Sequence, residues 1–314
     1  MTFDLEDFIN RDYLGVFGLI LGLLAKFDVR AVFFITGHMA EKLTSFPSIL
    51  RQLESHEIGF HSSAHSVRPT IFEYCDVKNY EDAFQASLER ETSHINPLSG
   101  DVQGKGGIHA LIDLFPSKKI LAYRAPGYCC PPPHLEAMAS LGIRYDFSWS
   151  ISKAPVDYKG ITFYPRPIFL DGERALLGGG PRIMNWARLM QSICMEEMTI
   201  LNFHPHCFVE KDYWDSIYHR GNPTELTKAM SRDNTETQHM FTKLEGLLKR
   251  VHHLEELGVI ETSPDLKRTR TNLDATRLDI DKLAKAFSFW PETFFGYKPR
   301  YIRPQLSKFF ELYS

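Results

Sequence analysis

A chain of 314 residues with 43% apolar and 24% charged side chains has the make-up of a folded globular protein, and its length suits one large α/β domain or two ordinary ones. That composition excludes a disordered chain. The formal net charge of −3, from 36 basic against 39 acidic side chains, gives no electrostatic footprint for nucleic acid or an anionic membrane, so a neutral or modestly charged partner fits better.

Thr2-Phe3 opens a first strand. The most apolar stretch, residues 14–24, contains Gly15, Gly18 and Gly22 and ends before Lys26, well short of the roughly 20 residues that span a bilayer, so a buried helix over 13–27 is expected there and no transmembrane segment. The start lacks a basic segment followed by an apolar run and a small-residue cleavage site, which predicts no leader and a cytoplasmic location. Asp4 stands so near the first residue, however, that a leader ahead of Met1 stays open.

Further on, residues 30–37 form a β-rich run closed by Gly37, residues 47–54 read as a helix, and Glu57-Ile58-Gly59-Phe60 as a short strand. Residues 81–91 look helical, and 99–107 read as a glycine-rich loop. Gly104-Lys105-Gly106-Gly107 lacks the Gly-Lys-Ser/Thr ending of a phosphate-binding loop and is expected to be a flexible turn. Strands follow at 120–123, 145–148, 161–164 and 198–203. Met240, Leu244, Leu247, Leu248, Val251, Leu254 and Leu257 share one helical face, Gly258 ends that helix, and residues 259–262 read as a last strand.

Strands alternating with helices imply a parallel sheet or barrel covered by helices. The expected fold is a distorted (β/α) barrel of about seven to eight parallel strands over residues 1–265. A C-terminal extension, 266–314, carries Phe287, Trp290, Phe294, Phe295 and Tyr297 and is expected to pack on the barrel, because such aromatics need burial. The five cysteines are an odd number, with Cys129 beside Cys130 where a disulfide would be strained, so buried thiols in a reducing compartment are expected.

Five places carry groups suited to chemistry. Asp4 and Glu6, two apart on a strand, point to one face; alone they also read as a solvated strand end. His61 and His65, four apart, reach one divalent ion if they lie on a helical turn, or are a coincidental pair. Arg124 leaves a strand into the Pro126-Gly127 turn, where a guanidinium can hold a carboxylate through two parallel hydrogen bonds, or simply lie at the surface. Asp146, in Tyr-Asp-Phe-Ser-Trp, and His204, in Leu-Asn-Phe-His-Pro-His, complete the set, and each also has a structural reading. Their order at successive strand ends is what a β/α barrel needs to gather them on its carboxyl-terminal rim.

These motifs make the sequence resemble the polysaccharide deacetylase family, the NodB-homology carbohydrate esterases. The matching elements are Thr-Phe-Asp-Leu-Glu-Asp (2–7), Val-Phe-Phe-Ile-Thr-Gly (32–37), His-Glu-Ile-Gly-Phe-His-Ser-Ser-Ala-His-Ser (56–66), Arg-Ala-Pro-Gly (124–127), Tyr-Asp-Phe-Ser (145–148) and Leu-Asn-Phe-His-Pro (201–205). The likeness spans about the first 205 residues, with weaker support to about 265.

The resemblance implies a hydrolase that removes the N-acetyl group from an N-acetylated sugar, oligosaccharide or polysaccharide. It implies Asp4 as the general base, His61 and His65 as metal ligands, and Arg124 as the partner of Asp4. It further implies His204 as the general acid, oriented by Asp146, and the Gly127 amide, beside Tyr128, as an oxyanion and substrate contact. Many relatives place a third ligand, an aspartate, directly after the base. This chain has Leu5 there, and the Asp-x-Glu arrangement makes Glu6 the replacement.

An amide is a poor electrophile with a poor leaving group, so metal, base and acid are all needed. Zinc is the expected cation, though iron, cobalt or nickel suit the same ligands. The alternatives are a hydrolase of another non-peptide C–N bond on the same fold, acting on a formyl group, a ureide or a cyclic imide, and a non-catalytic sugar-binding relative. Residues 98–115 and 171–182 are the expected substrate-selecting loops. His206 and Cys207 are read as structural, because no second ligand cluster stands out elsewhere.

Overall fold

A computed structural model of the chain describes residues 1–10, 13–170, 186–214, 228–262 and 271–312. The front of the chain runs β1 (Thr2–Leu5), α1 (Tyr13–Lys26), β2 (Val32–Ile35), α2 (Gly37–Leu43), α3 (Pro47–Leu53) and β3 (Glu57–Phe60). Next come α4 (Ile71–Cys75), α5 (Tyr80–Thr92), β4 (Ser93–Ile95), β5 (Val102–Lys105), α6 (Ile108–Leu114), β6 (Ala122–Tyr123), α7 (Pro132–Ser140) and β7 (Tyr145–Asp146). After β8 (Val156–Tyr158), β9 (Ile161–Phe163) and β10 (Ile168–Phe169), the chain continues through α8 (Trp186–Met195) and β11 (Leu201–Phe203). It then forms α9 (Asn234–Glu256), β12 (Thr271–Asn272), α10 (Ile280–Phe295) and α11 (Ile302–Phe309).

The main sheet has the order β10-β11-β1-β2-β3-β6-β7-β9-β8-β12. From β10 to β9 every neighbouring pair is parallel, which is the α/β arrangement the alternation of elements predicts. β8 then folds back antiparallel on β9, and β12 joins β8 in parallel. Among the described residues, the ladder pairs leave β10 and β12 at its two ends.

Strand alternation divides the apolar residues between two faces. Phe3, Leu5, Phe33, Ile35, Ile58, Phe60 and Tyr123 join the large core under the helices. Val32, Phe34, Ala122, Tyr145, Phe147, Tyr164 and Ile200 form a separate cluster on the other face. Phe34 on β2 and Phe147 just beyond β7 have ring centroids 5.1 Å apart, although β3 and β6 lie between their strands. Three strand spacings amount to about 14 Å in a flat sheet, so the sheet curls inward around this cluster. Gly59 makes room for it, since a Cβ there would lie 2.6 Å from the Phe34 ring.

Four expectations change. Residues 259–262 form no strand: the Val259 amide closes α9 by donating to the Leu254 carbonyl, and the Thr262 amide donates to Glu255 Oε1, so the local backbone is not free for a ladder. The apolar face of α9 is buried only through Val251, and Leu257 is 62% exposed. Residues 99–107 are not one loop. β5 pairs antiparallel with β4, and Gly106 and Gly107 are close-approach positions, not a flexible turn. The 98–115 segment likewise contains α6.

In the C-terminal extension, Phe287 is buried with its ring 5.0 Å from that of Trp149, and Phe309 and Phe310 flank the same indole. Tyr297 and Arg300 both bind Asp76. The Trp290 and Phe294 side chains, and residues 171–182, lie outside what is described. Among the described residues no helix is long and apolar enough to cross a membrane. None of the five cysteines is in a disulfide; Cys75, Cys129 and Cys130 are buried, but Cys207 is half-buried and Cys194 exposed, so the expectation of buried thiols holds only in part.

Candidate metal centre

The polar residues singled out from sequence lie at the carboxyl-terminal ends of β1, β3, β6, β7 and β11, where a parallel sheet presents its ligand-binding rim. Leu5 turns into the helix-covered core while Asp4 and Glu6 occupy the opposite side, as the period of a strand requires. Asp4, Glu6, His61, His65 and His204 are all buried.

Glu6 Oε2 stands 3.0 Å from His61 Nε2 and 3.0 Å from His65 Nε2. His61 Nδ1 donates to the Arg124 carbonyl at 2.7 Å, which points its Nε2 at Glu6, and His65 Nδ1 is engaged by the Ser66 hydroxyl. Two imidazole nitrogens converging on one carboxylate oxygen, with their far nitrogens already occupied, make a group that could hold a divalent cation, with outer contacts that orient each ring. Burial by itself would raise the Glu6 pKa, but the neighbouring histidines, through charge and hydrogen bonds, hold it well below the usual carboxylate range.

The two histidines do not occupy a helical turn. Ser62 and His65 both have left-handed backbone conformations, φ 69° and 45°, and the folded-back loop brings the two ring centroids to 5.2 Å. The backing for this loop was not foreseen from sequence. Gly37 and His38 donate their amides to the Ser62 and Ser63 carbonyls. Glu91 accepts from Ser62 Oγ at 3.0 Å and from the Ser63 amide at 2.6 Å, and Arg90 donates to the His65 carbonyl.

A Cβ on Gly107 would come within 2.2 Å of both the Glu91 carbonyl and Ser63 Oγ, and its φ of 54° is left-handed. Glycine is therefore required where the β4–β5 hairpin abuts the loop.

Arg124 pairs with Asp4, Nη1 to Oδ1 at 2.6 Å, with both side chains fully buried. The pair is not the two-bond fork expected. Asn202 Nδ2 occupies the other oxygen of Asp4 at 2.8 Å, and Asn202 Oδ1 accepts from Arg124 Nη1 at 2.7 Å. Thr2 Oγ1 accepts from Arg124 Nη2 and donates to Asn202. The guanidinium lies 4.1 Å from the centroid of the Phe34 ring, so the inward apolar cluster forms the floor of the site. Burial works to raise the Asp4 pKa, but the Arg124 charge, with His61 and His204, outweighs it and keeps the carboxyl ionised far below its ordinary range.

His204 Nε2 is 3.3 Å from Asp4 Oδ2 and 3.9 Å from Glu6 Oε2. Asp146 does not bind it: Asp146 Oδ2 accepts from the Trp149 amide at 2.7 Å, and the carboxyl interacts with Ser148 and the Arg124 charge. Gly127 sits at φ 59° in the turn after Arg124, and the Tyr128 hydroxyl accepts from Asn202 Nδ2 at 3.2 Å. Two residues not foreseen, Tyr213 and Trp214, both donate to Glu6 Oε1, the indole at 2.9 Å, so that Oε2 is the oxygen left toward the histidines. No periodicity or spacing pointed to them; two adjacent aromatics with polar atoms were the one available hint.

Residues 1–105 match the family described as polysaccharide deacetylase. No curated protein matches the chain. Among solved structures it is similar to a family 4 carbohydrate esterase from Bacillus anthracis, at 17% identity over 83% of this chain and 77% of that one, with a TM-score of 0.37. It is also similar to a Streptococcus mutans CE4 esterase, at 15% identity over 82% and 83%, TM-score 0.41. A third is the Puue allantoinase, at 12% identity over 84% and 86%, TM-score 0.48. The matched stretch, residues 1–105, is the segment that supplies Asp4, Glu6, His61 and His65.

Proposed function

We propose that the protein is a metal-dependent hydrolase of a carbon–nitrogen bond that removes the acetyl group from an N-acetylated sugar or polysaccharide. The observation that carries this reading is the convergence of His61 Nε2 and His65 Nε2 on Glu6 Oε2, each at 3.0 Å, with Asp4 reaching the same space. A divalent ion held by Glu6, His61 and His65, zinc being our choice, would supply Lewis acidity that polarises the acyl carbonyl and makes water a nucleophile near neutral pH.

The chain's own groups do the rest. Asp4 Oδ1 is committed to Arg124, and Oδ2, steadied by Asn202, is the oxygen that takes a proton from the attacking water. A carboxylate so strongly held in its ionised form keeps a proton only briefly. His204 Nε2, 3.3 Å from that oxygen, is the group placed to carry the proton on to the departing amine nitrogen. The Gly127 amide, in the turn that follows Arg124, is assigned to the oxyanion that develops on the acetyl oxygen, with Tyr128 beside the sugar. Five cysteines with no disulfide among them support a reducing, cytoplasmic setting.

The test is acetate release from a panel of N-acetylated monosaccharides and short oligomers, with and without a chelator. Chelator-sensitive release from at least one of them is expected. Release untouched by chelation from fully metal-stripped protein would overturn the metal assignment, and formate or ammonia from the corresponding acyl or ureide compounds, with no acetate from any sugar, would overturn the substrate class.

A further inference from the structure

A second cluster of ligand-type side chains lies behind the His61–His65 loop, where α2 meets the β4–β5 hairpin. His38, Glu41 and His94 each offer one donor atom, and these atoms lie within 4.8 Å of one another. We infer that His38, Glu41 and His94 hold a second divalent cation of the zinc class, separate from any at Glu6, His61 and His65.

The residues come together for simple reasons. Glu41 follows His38 by three positions on α2, so both occupy one face of the helix. His94 arrives from β4, and its Nδ1 stands 2.9 and 3.0 Å from the two oxygens of Glu41. Its ring meets that of His38 edge-on, at 89° with centroids 5.0 Å apart. A Cβ at Gly106 would lie 2.4 Å from the His94 amide nitrogen, so the hairpin is closely packed at the ligand's backbone.

A hydrogen-bonded His94–Glu41 pair alone would be an ordinary surface feature, and it leaves one observation unexplained. His38 is 7% exposed; the Ile95 backbone carbonyl lies near its ring, and its Nε2 is buried with no well-formed hydrogen bond. A buried ring nitrogen without a well-formed hydrogen bond is rare in a folded protein and asks for a missing water or ion.

The ligand set is chemically apt. Two imidazoles and a carboxylate suit zinc, cobalt or nickel, and ligand atoms bound to one zinc at roughly 2.0–2.2 Å lie no more than about 4.4 Å apart. The cluster therefore has to contract only slightly. The side chains of His94 and Glu41 are 30% and 38% exposed, which gives an ion a path from solvent and leaves coordination positions for water. Of the nearby cations, Arg90 is matched by Glu91 at 3.6 Å, and Lys42 has its ammonium beside the Phe8 ring. The His38 amide donates to the Ser63 carbonyl at 3.1 Å, so an ion here would tie α2 to the hairpin directly against the back of the loop that carries His61 and His65.

Equilibrium dialysis of the metal-stripped full chain against Zn2+, with bound zinc counted by elemental analysis and fold checked by circular dichroism, tests this. Two ions per chain are expected. Glu41→Gln and His94→Ala, both at partly exposed positions, should each leave one, and a Glu6→Gln/His61→Ala chain should keep the ion at His38. A single ion lost in Glu6→Gln/His61→Ala but retained in Glu41→Gln and His94→Ala would overturn the proposal. So would two ions undiminished by either of those single substitutions. Because each cluster is scored by its own variants, failure of one site is read separately from failure of the other.

Discussion

Asn202 donates its amide hydrogen to Asp4 at 2.8 Å, while the oxygen of the same amide accepts from Arg124 at 2.7 Å. Only an amide can do both, because one end must be a donor and the other an acceptor. Asn202→Asp would set a second carboxylate against Asp4 and raise its pKa. We expect kcat to fall by about 100-fold and the acid limb of the pH–rate profile to move upward. An unchanged profile would remove Asn202 from the machinery around the base.

Tyr213 and Trp214 both donate to Glu6 Oε1 and so decide which oxygen faces the histidines. Tyr213→Phe should weaken zinc binding at that centre by about 10–100-fold, with kcat at saturating zinc changed much less. Competition against a chromophoric chelator measures the first and a zinc-replete assay the second. Equal affinity in wild type and variant would show that the hydroxyl does not position the ligand.

Arg124 and Asp4 are a fully buried ion pair. Removing one member leaves the other charged and unpaired, so Arg124→Met should cost about 3–5 kcal/mol of stability. Adding Asp4→Asn to that variant should recover part of the loss. Denaturant unfolding of the four proteins gives the coupling, and strictly additive effects would contradict the pairing.

Burial pushes the Asp146 carboxyl up to about 6 from an ordinary 3.8, against hydrogen bonds from Trp149 and Ser148 and the charge of Arg124. For a carboxyl whose folded pKa is raised, the stabilising contribution is complete below the unfolded value and is lost as pH rises through the folded one. Between pH 3.5 and 7 the wild type should therefore lose about 3 kcal/mol relative to Asp146→Asn. Parallel stability curves for the two proteins would show that Asp146 titrates normally.

Much of the site was legible because strand geometry is simple. Two-residue spacing sends Asp4 and Glu6 to one side and Leu5 to the other, whatever the tertiary detail. The His61–His65 spacing pointed to convergence for the wrong reason, since a loop with two left-handed residues, not a helix, brings the rings together. Asn202 stood within a recognised motif, yet its role depends on partners 78 and 198 residues away in sequence.

The second arm expected of the Arg124–Asp4 fork was displaced by that same amide. His38, Glu41 and His94 escaped notice because 53 residues separate the last two and only the packing of β4 against α2 brings them together. The strand expected at 259–262 rested on β propensity, which cannot reveal that the end of α9 takes up the local amides.

Gly107 has no functional group and belongs to neither ligand set, yet a single methyl there would collide with the Glu91 carbonyl and Ser63 Oγ. Random mutagenesis scored for lost hydrolysis should therefore recover alanine at this position alongside changes to the ligands themselves. Such an isolate would be repaired by refitting the hairpin, not by supplying more cation.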